Sequence, residues 1–311
     1  MHNAGSFVNI SLNSMTLTPE QLSRRHLLML LACSPLFATT NLLAAAPDAH
    51  RVVALEWRPV ELLLALGIMP LAVADLPNYR RWVVEPTLGP EVMDVGLRNE
   101  PNLELLQRLD PSLILLSRGF GPSAKRIARL APQWVSQFST PERGPLASIV
   151  ADISALGSLL GRDAEAQRYL SSMEAQLTLT GQRLERYRSE PLLMFSFLDS
   201  RRVMVFGQGS LFGDILQRLG LTAAWQGDTN AWGSAIVGIE RLAQIEGVRA
   251  LCFLHGEDDP MREIAHVRLW RSIPFVRENK LHLLPAVWFF GGNYSALRFC
   301  HLLEQALEGS A

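Results

Sequence analysis

Short apolar runs alternate with amphipathic segments along most of the chain. The runs are rich in Val, Ile and Leu, and most are followed by a stretch whose apolar residues recur at helical spacing. The predicted strands are 51–55, 71–74, 112–116, 134–138, 192–198, 203–206 and 250–254. Continuous apolar strands that alternate with helices are typical of a parallel sheet covered on both faces. The pattern therefore predicts an α/β fold.

The alternation stops between residues 146 and 187, where two helices separated by Gly161 are predicted instead. The second helix, 163–188, carries charges around its circumference and would be ~39 Å long at ~1.5 Å per residue. A long, largely polar helix is typical of a connection between domains. We therefore expect two Rossmann-like α/β lobes, residues 47–161 and 189–311, joined by one long rigid helix, residues 162–188.

A short internal repeat supports two similar lobes. Glu104 and Glu240 each lie near the start of a predicted helix. In both copies, aliphatic residues stand two and five positions after the glutamate, and a predicted strand follows. Such a short match also arises by chance, so the repeat supports the two lobes only together with the helix between them.

The first 46 residues have the composition of an export signal. The pair Arg24–Arg25 precedes the apolar run 27–32 and then small residues as far as Ala46, which predicts export by the twin-arginine route and cleavage shortly before Ala46. The mature protein is then expected in the periplasm. One alternative is a membrane anchor, for which the apolar run is too short, and another is a lipid anchor at Cys33.

No catalytic machinery is evident. The formal net charge of −1 predicts no attraction to nucleic acid. The histidines lack metal-ligand spacing, and His255 with the acidic residues 257–259 is interpreted as the start of a solvated loop. Segment 207–210 resembles a nucleophile elbow but lacks the required glycines, so we expect a helix N-terminus there. Cys252 and Cys300 are expected to be buried thiols. An enzyme remains an alternative that would need a nucleophile, a base or a metal cluster.

Four tryptophans instead lie in segments punctuated by Gly, Pro and Asn: Trp82, Trp225, Trp232 and Trp288. Large, rigid rings with one N–H group suit the walls of a binding pocket, although each of them could equally be a packing residue. Trp57, Trp134 and Trp270 have contexts that predict structural roles.

Five ordered motifs resemble those of the ferric-hydroxamate (ferrichrome) periplasmic binding proteins: 53–57, 94–98, 100–104, 224–234 and 285–289. The resemblance covers essentially the whole chain. It implies the helical-backbone class of binding proteins and a monomer that binds iron(III)-hydroxamate siderophores in the periplasm and delivers them to an inner-membrane ABC permease. The siderophore itself holds the iron, so the resemblance implies no metal ligands, no cofactor and no enzymatic activity.

The same resemblance assigns roles to individual residues. Arg98 matches an arginine that donates to the hydroxamate oxygens, and Glu104 and Glu240 match glutamates that dock onto permease arginines. Phe120 and Phe290 stand where the family often has Tyr, and each lacks a hydroxyl whose hydrogen bond would contribute ~0.5–1.5 kcal/mol. The remaining ligand-binding residues implied by the resemblance are Trp82, Trp225, Asn230 (through water), Trp232 and Trp288.

Other cargoes on the same scaffold remain open, namely a catecholate siderophore, haem or cobalamin. Catecholate chelates are strongly anionic and would require several basic residues around the cleft. Arg80 and Arg81, which precede Trp82, keep that alternative open.

Overall fold

The computed structural model of the protein describes residues 46–255 and 260–309. The export signal, Cys33 and the acidic residues 257–259 lie outside the described residues, so the predictions about them stay predictions. None of the helices in the described part of the chain is both long and apolar enough to span a membrane.

The N-terminal sheet has five parallel strands in the order β3-β2-β1-β4-β5. Val53 of β1 pairs with Ala72 of β2 and with Ile114 of β4. The central strands are buried on both faces, as their continuous apolar sequences predict. The strands are β1 (Val52–Ala54), β2 (Ala72–Val73), β3 (Met93–Asp94), β4 (Leu113–Ser117) and β5 (Gln133–Ser136). The helices are α1 (Trp57–Ala65), α2 (Leu76–Trp82), α3 (Leu103–Leu109) and α4 (Ala124–Ile127), after a 3-10 turn at Ala49–Arg51.

The C-terminal sheet is mixed, with the strand order β10-β9-β6-β7-β8. Its strands are β6 (Leu192–Phe197), β7 (Arg202–Phe206), β8 (Ser234–Gly238), β9 (Arg249–Phe253) and β10 (Leu281–Leu284). Strands β6, β9 and β10 are parallel, but β7 runs antiparallel to both β6 and β8. The C-terminal sheet therefore differs from the parallel sheet that the alternation of strands and helices indicated. The link between β6 and β7 is too short for a crossover, so only a hairpin can join them.

Two central helices, α5 (Pro145–Leu159) and α6 (Asp163–Arg183), occupy the segment without strands. Helix α6 ends at Arg183, earlier than predicted, and a 3-10 turn at Glu185–Tyr187 follows it. The later helices are α7 (Leu211–Arg218), α8 (Pro260–Ile264), α9 (Arg268–Ser272), α10 (Pro274–Arg277) and α11 (Asn293–Glu308), with a 3-10 helix at Ile239–Gln244. The second copy of the internal repeat is thus a 3-10 helix, whereas the first is α-helical. Ser210 accepts a hydrogen bond from the Gly213 amide and caps α7, which confirms a helix N-terminus there.

One apolar core extends through both lobes. It contains Val52 and Leu115 of the first sheet, Met194 and Leu251 of the second, and the inward faces of α1, α5, α6, α7 and α11. Helix α6 contributes Met173 and Leu177 and packs against α5 and α11. The long helix is therefore one layer of a shared core, although the exact lobe boundaries stay predictions. Cys252 in β9 and Cys300 in α11 are both buried, in different core clusters.

Two helix N-termini are capped by carboxylates from the other lobe. Glu61 of α1 accepts hydrogen bonds from the backbone N–H and the hydroxyl of Ser295 at the start of α11, both at 2.7 Å. Asp214 of α7 accepts from the Leu146 N–H at the start of α5, at 2.8 Å. Burial raises the pKa of both carboxyls, and the hydrogen bonds they accept oppose this shift. Each cap satisfies helix donors that have no partner within their own helix.

Candidate functional site

Aromatic rings from the two sheets meet in a cleft between the lobes. Phe120, in the loop after β4, lies with its ring centroid 4.4 Å from that of Trp232, which comes from the loop before β8. Phe290, in the loop after β10, completes the group at 5.5 Å from Phe120 and 5.6 Å from Trp232. Three of the residues predicted from sequence are thus in mutual contact, although they lie far apart along the chain.

A second group of rings adjoins the first. The indole of Trp288 lies 5.5 Å from Phe290, 6.0 Å from Trp82 and 4.8 Å from Trp57. Trp57 is buried, and its indole N–H donates to the Ala74 carbonyl at 3.0 Å, which confirms its predicted structural role. The indoles of Trp82 and Trp288 therefore extend the aromatic wall along the cleft.

Arg98 lies on this wall. Its guanidinium stacks over the indole of Trp57 at 3.8 Å and lies 5.3 Å from the ring of Trp288. Nη1 donates to Glu56 at 3.2 Å, and Nε lies 3.8 Å from a carboxylate oxygen of Asp75. Nη2 of Arg98 has no partner among the described residues. The guanidinium is therefore fixed in place with one edge able to donate to a bound molecule.

Glu56 is almost completely buried beneath Arg98. Burial raises the pKa of this carboxyl, and the positive charge and hydrogen bond of Arg98 oppose the shift. The guanidinium and the carboxylate therefore depend on each other, because either charge without its partner would be costly in this apolar wall.

A buried network holds the loop that carries Trp288 and Phe290. Arg58 of α1 donates to the Gly291 carbonyl at 3.0 Å and to the Gln137 carbonyl at 3.2 Å, and it forms an ion pair with Asp152 of α5 at 3.3 Å. Burial lowers the pKa of Arg58, and Asp152 opposes this shift. One guanidinium thus connects two helices with the cleft loops of both lobes.

Asn230 organises the loop that presents Trp232. Its side-chain oxygen accepts from the backbone N–H groups of Trp232 at 2.9 Å and Ser234 at 3.1 Å. Gly119 permits the close approach of the opposite loop, because a Cβ there would lie 2.9 Å from the Trp232 ring. The predicted water-mediated role of Asn230 stays a prediction, and its visible role is to position Trp232.

Trp225 was predicted to bind the ligand, but the structure does not place it among the aromatic rings of the cleft. Its side chain packs in a separate cluster of the C-terminal lobe with Phe195 and Leu242, and it has no ring contact with the cleft aromatics among the described residues. Its indole nitrogen is buried and has no hydrogen-bond partner in the described part of the chain.

Glu104 and Glu240 are both exposed, one on each lobe. Glu104 lies in the first turn of α3, and Glu240 lies in the first turn of the 3-10 helix after β8. Neither carboxylate forms an ion pair with another described residue. Both are therefore accessible to a partner.

Two cleft residues were not proposed as ligand-binding residues from the sequence. His255 stacks on Trp82 with ring centroids 4.7 Å apart, and its Nε2 lies 3.0 Å from the Val287 carbonyl. Burial lowers its pKa to about 4, so the ring is neutral at physiological pH. Arg118 lines the space beside Phe120. In the sequence, His255 directly follows the predicted strand 250–254 and Arg118 lies two residues after the predicted strand 112–116. The interpretation of His255 as the start of a solvated loop was wrong, because its ring is packed against Trp82.

The cavity lined by Phe120, Trp232, Trp288 and Phe290 has a volume of only about 10 Å³. That is far below the ~300–1,000 Å³ typical of small-molecule sites, because Trp232 and Phe120 touch across the cleft. The described residues include no group of three or more His, Cys, Asp or Glu side chains that could hold a metal ion.

A family described as "Periplasmic binding protein" matches residues 52–287. The iron(3+)-hydroxamate-binding protein FhuD of Escherichia coli is 45% identical over 291 residues, which cover 93% of this chain and 98% of that protein.

Solved structures show the same fold. The structure of the siderophore-binding protein FhuD from Vibrio cholerae with bound Fe3+-Desferal has a TM-score of 0.77 at 28% identity, over 85% of this chain and 100% of that chain. FhuD2 from Staphylococcus aureus with bound ferrioxamine B has a TM-score of 0.69 over 85% of this chain and 99% of that chain. Its identity of 16% supports the fold alone.

Proposed function

The chain belongs to the periplasmic binding protein family, and we propose that it binds an iron(III)-hydroxamate siderophore between its lobes and delivers it to an inner-membrane ABC permease. It is a binding protein of a transport system and not an enzyme. The siderophore is its cargo, so the protein needs no cofactor.

The observation that carries this proposal is the combination of aromatic walls with one fixed guanidinium in the cleft. A hydroxamate siderophore supplies the iron ligands itself, so the protein contacts only the organic surface of the chelate. Rings such as Trp232, Phe290 and Trp288 suit its apolar parts. The open edge of Arg98 suits the hydroxamate oxygens, since a guanidinium offers several donors in a fixed geometry.

The charges around Arg98 favour a hydroxamate over a catecholate cargo. Two carboxylates, Glu56 and Asp75, lie against this one guanidinium, so the group carries a formal charge of −1 and would repel a strongly anionic chelate. Arg80 and Arg81, which could have favoured a catecholate, are exposed on α2.

Tryptophan fluorescence tests the proposal. Wild-type protein titrated with ferrichrome, ferrioxamine B and a ferric catecholate should show saturable quenching with the two hydroxamates and weak or no quenching with the catecholate. The reverse preference, or no saturable quenching by either hydroxamate, would reject the proposed cargo. The matched iron-free hydroxamates control for quenching that does not depend on the chelate.

Delivery to the permease is proposed to depend on Glu104 and Glu240. An exposed carboxylate on each lobe can pair with permease arginines at two points and fix the orientation of docking. The double variant Glu104→Ala/Glu240→Ala should bind siderophore normally but lose iron uptake in cells that depend on this protein. The exposed pair Glu142→Ala/Glu185→Ala is the charge-matched control, and normal uptake by the first variant would refute docking through these residues.

The proposal also covers the export route, the cleavage site and the oligomeric state of the mature protein. We expect a monomer, exported by the twin-arginine route and cleaved shortly before Ala46. Mass spectrometry of the purified mature protein measures the N-terminus, and a lipid on Cys33 would contradict this expectation. Sedimentation equilibrium of the same sample measures the oligomeric state.

A further inference from the structure

Arg118 is a cationic group in the cleft without an anionic partner in the described part of the chain. It lies directly after β4 and lines the cavity together with Phe120 and Trp232, and its side chain is exposed. Its backbone N–H donates to the Ser136 carbonyl at 2.9 Å, which fixes the start of the loop that carries Phe120. The guanidinium is therefore presented from a constrained position at the end of a buried strand.

The other two guanidiniums of the cleft are already paired with carboxylates. Arg58 pairs with Asp152, and Arg98 pairs with Glu56 and lies beside Asp75. Arg118 forms no ion pair with a described residue. Its Nη2 and Nε lie 3.2 and 3.3 Å from the side-chain oxygen of Gln137, once that amide is oriented to accept them. Gln137 is neutral, so it orients Arg118 without compensating its charge.

This arrangement divides the cleft into two electrostatic regions. Around Arg98, two carboxylates outnumber one guanidinium, and that region suits the near-neutral oxygens of the chelate itself. Glu56 also borders the cavity that Arg118 lines, but its carboxylate is bonded to Arg98. Arg118 borders the apolar rings of Phe120 and Trp232, and no described carboxylate compensates its charge, so the low-dielectric rings on that side strengthen its attraction for an anion.

We propose that Arg118 determines specificity within the proposed function, by binding a carboxylate carried by the organic part of the siderophore. The preferred cargo is then an iron(III)-hydroxamate chelate with a free carboxylate outside the iron coordination sphere. A guanidinium can bind a carboxylate through two parallel hydrogen bonds, which gives direction as well as attraction.

A matched series of ligands tests this inference. Desferal has a terminal amine, its N-acetyl derivative is neutral at that end, and its N-succinyl derivative ends in a carboxylate, while all three share one iron-binding core. Dissociation constants of the iron complexes come from tryptophan quenching at low and high salt. Wild-type protein should bind the carboxylate form about tenfold more tightly than the amine form, and salt should reduce this ratio.

The variant Arg118→Gln should remove this preference while leaving the affinity for the neutral derivative within about threefold, and Arg118→Lys should retain part of the preference. Arg126→Gln makes the same charge change on the exposed surface of α4 and is the matched control. An unchanged ratio in Arg118→Gln, or an equal loss for all three ligands, would overturn the inference. The neutral derivative separates the two proposals, because its failure to bind wild-type protein would reject the hydroxamate function itself.

Discussion

The two lobes meet in two regions that differ in chemistry, the cleft in front and the helical layer behind it. In the cleft the contacts between lobes are largely between rings, as between Phe120 and Trp232. In the helical layer, the buried Glu61 and the half-buried Asp214 accept hydrogen bonds across the boundary, beside one continuous apolar core. Contacts between apolar rings can be replaced by contacts with a ligand, whereas breaking the hydrogen bonds of a buried carboxylate leaves buried polar groups without partners, which is costly.

This difference explains how a cleft can admit cargo without a large movement of the lobes. The rings occupy space that a chelate would take, so binding needs side-chain rearrangement of residues such as Trp232. The helical layer has no comparable freedom, because its polar groups are satisfied only in one arrangement. Closure of the whole molecule on binding is therefore expected to be small.

The largest effect is expected from breaking the helical layer. Glu61→Ala removes the acceptor of the Ser295 hydrogen bonds at the start of α11, and we expect a loss of about 3–5 kcal/mol in the free energy of unfolding. Urea denaturation of purified protein measures it. Glu185→Ala, which removes an exposed carboxylate paired with Arg188, should cost less than about 1 kcal/mol. Equal losses in both variants would show that the Glu61 cap contributes no more to stability than an exposed ion pair does.

The pH dependence of stability tests whether His255 is buried and neutral in the cleft. The pKa of His255 is lowered to about 4, so between pH 6.5 and about 4 the unfolded chain binds a proton that the folded protein does not. Stability should therefore fall as the pH falls through this window, by at most ~3 kcal/mol from this group.

The variant His255→Phe keeps a ring against Trp82 and removes this titration. Burial raises the pKa of the Glu56 and Glu61 carboxyls, so these two groups make the folded protein more stable as the pH falls. The contribution of His255 is therefore measured as the difference in stability between wild type and variant at each pH. Urea unfolding at several pH values supplies it. Parallel stability profiles for the two proteins would contradict a buried neutral His255.

A smaller effect is expected on cargo binding from Arg98. Arg98→Ala should weaken ferrichrome binding at least tenfold, about 1.4 kcal/mol, because the donor edge is lost and Glu56 is left without its partner. Fluorescence titration gives the dissociation constant. Arg108→Ala, an exposed arginine on α3 of the same lobe, should leave it unchanged. If Arg98→Ala also binds normally, Arg98 is not a ligand-binding residue.

The smallest effects separate two tryptophans that looked equivalent in the sequence. Trp232→Leu should weaken hydroxamate binding by about three- to tenfold, because it removes a ring from the cleft wall. Trp225→Phe should change the dissociation constant by less than about threefold, because Trp225 packs away from the cleft rings. A stronger effect at Trp225 than at Trp232 would place the cargo elsewhere.

The sequence alone determined much of this protein. Apolar runs such as 112–116 and 192–198 predicted strands that are buried on both faces, and the long segment without strands predicted the central helices. These predictions succeeded because burial on both faces requires a continuous apolar run. Strands β3, β8 and β10 are exposed or only partly buried and were not predicted, although β8 contains the apolar residues 235–237.

Only the tertiary structure decided which side chains share the cleft. The tryptophans at 225 and 232 lie in similar loops, yet one packs into a lobe and the other crosses to the opposite lobe. His255 and Arg118 became cleft residues because their strands end there, and Glu61 and Asp214 became caps because distant helices begin beside them. Local sequence specifies the period and ends of an element, whereas contacts between distant segments depend on how the whole core packs.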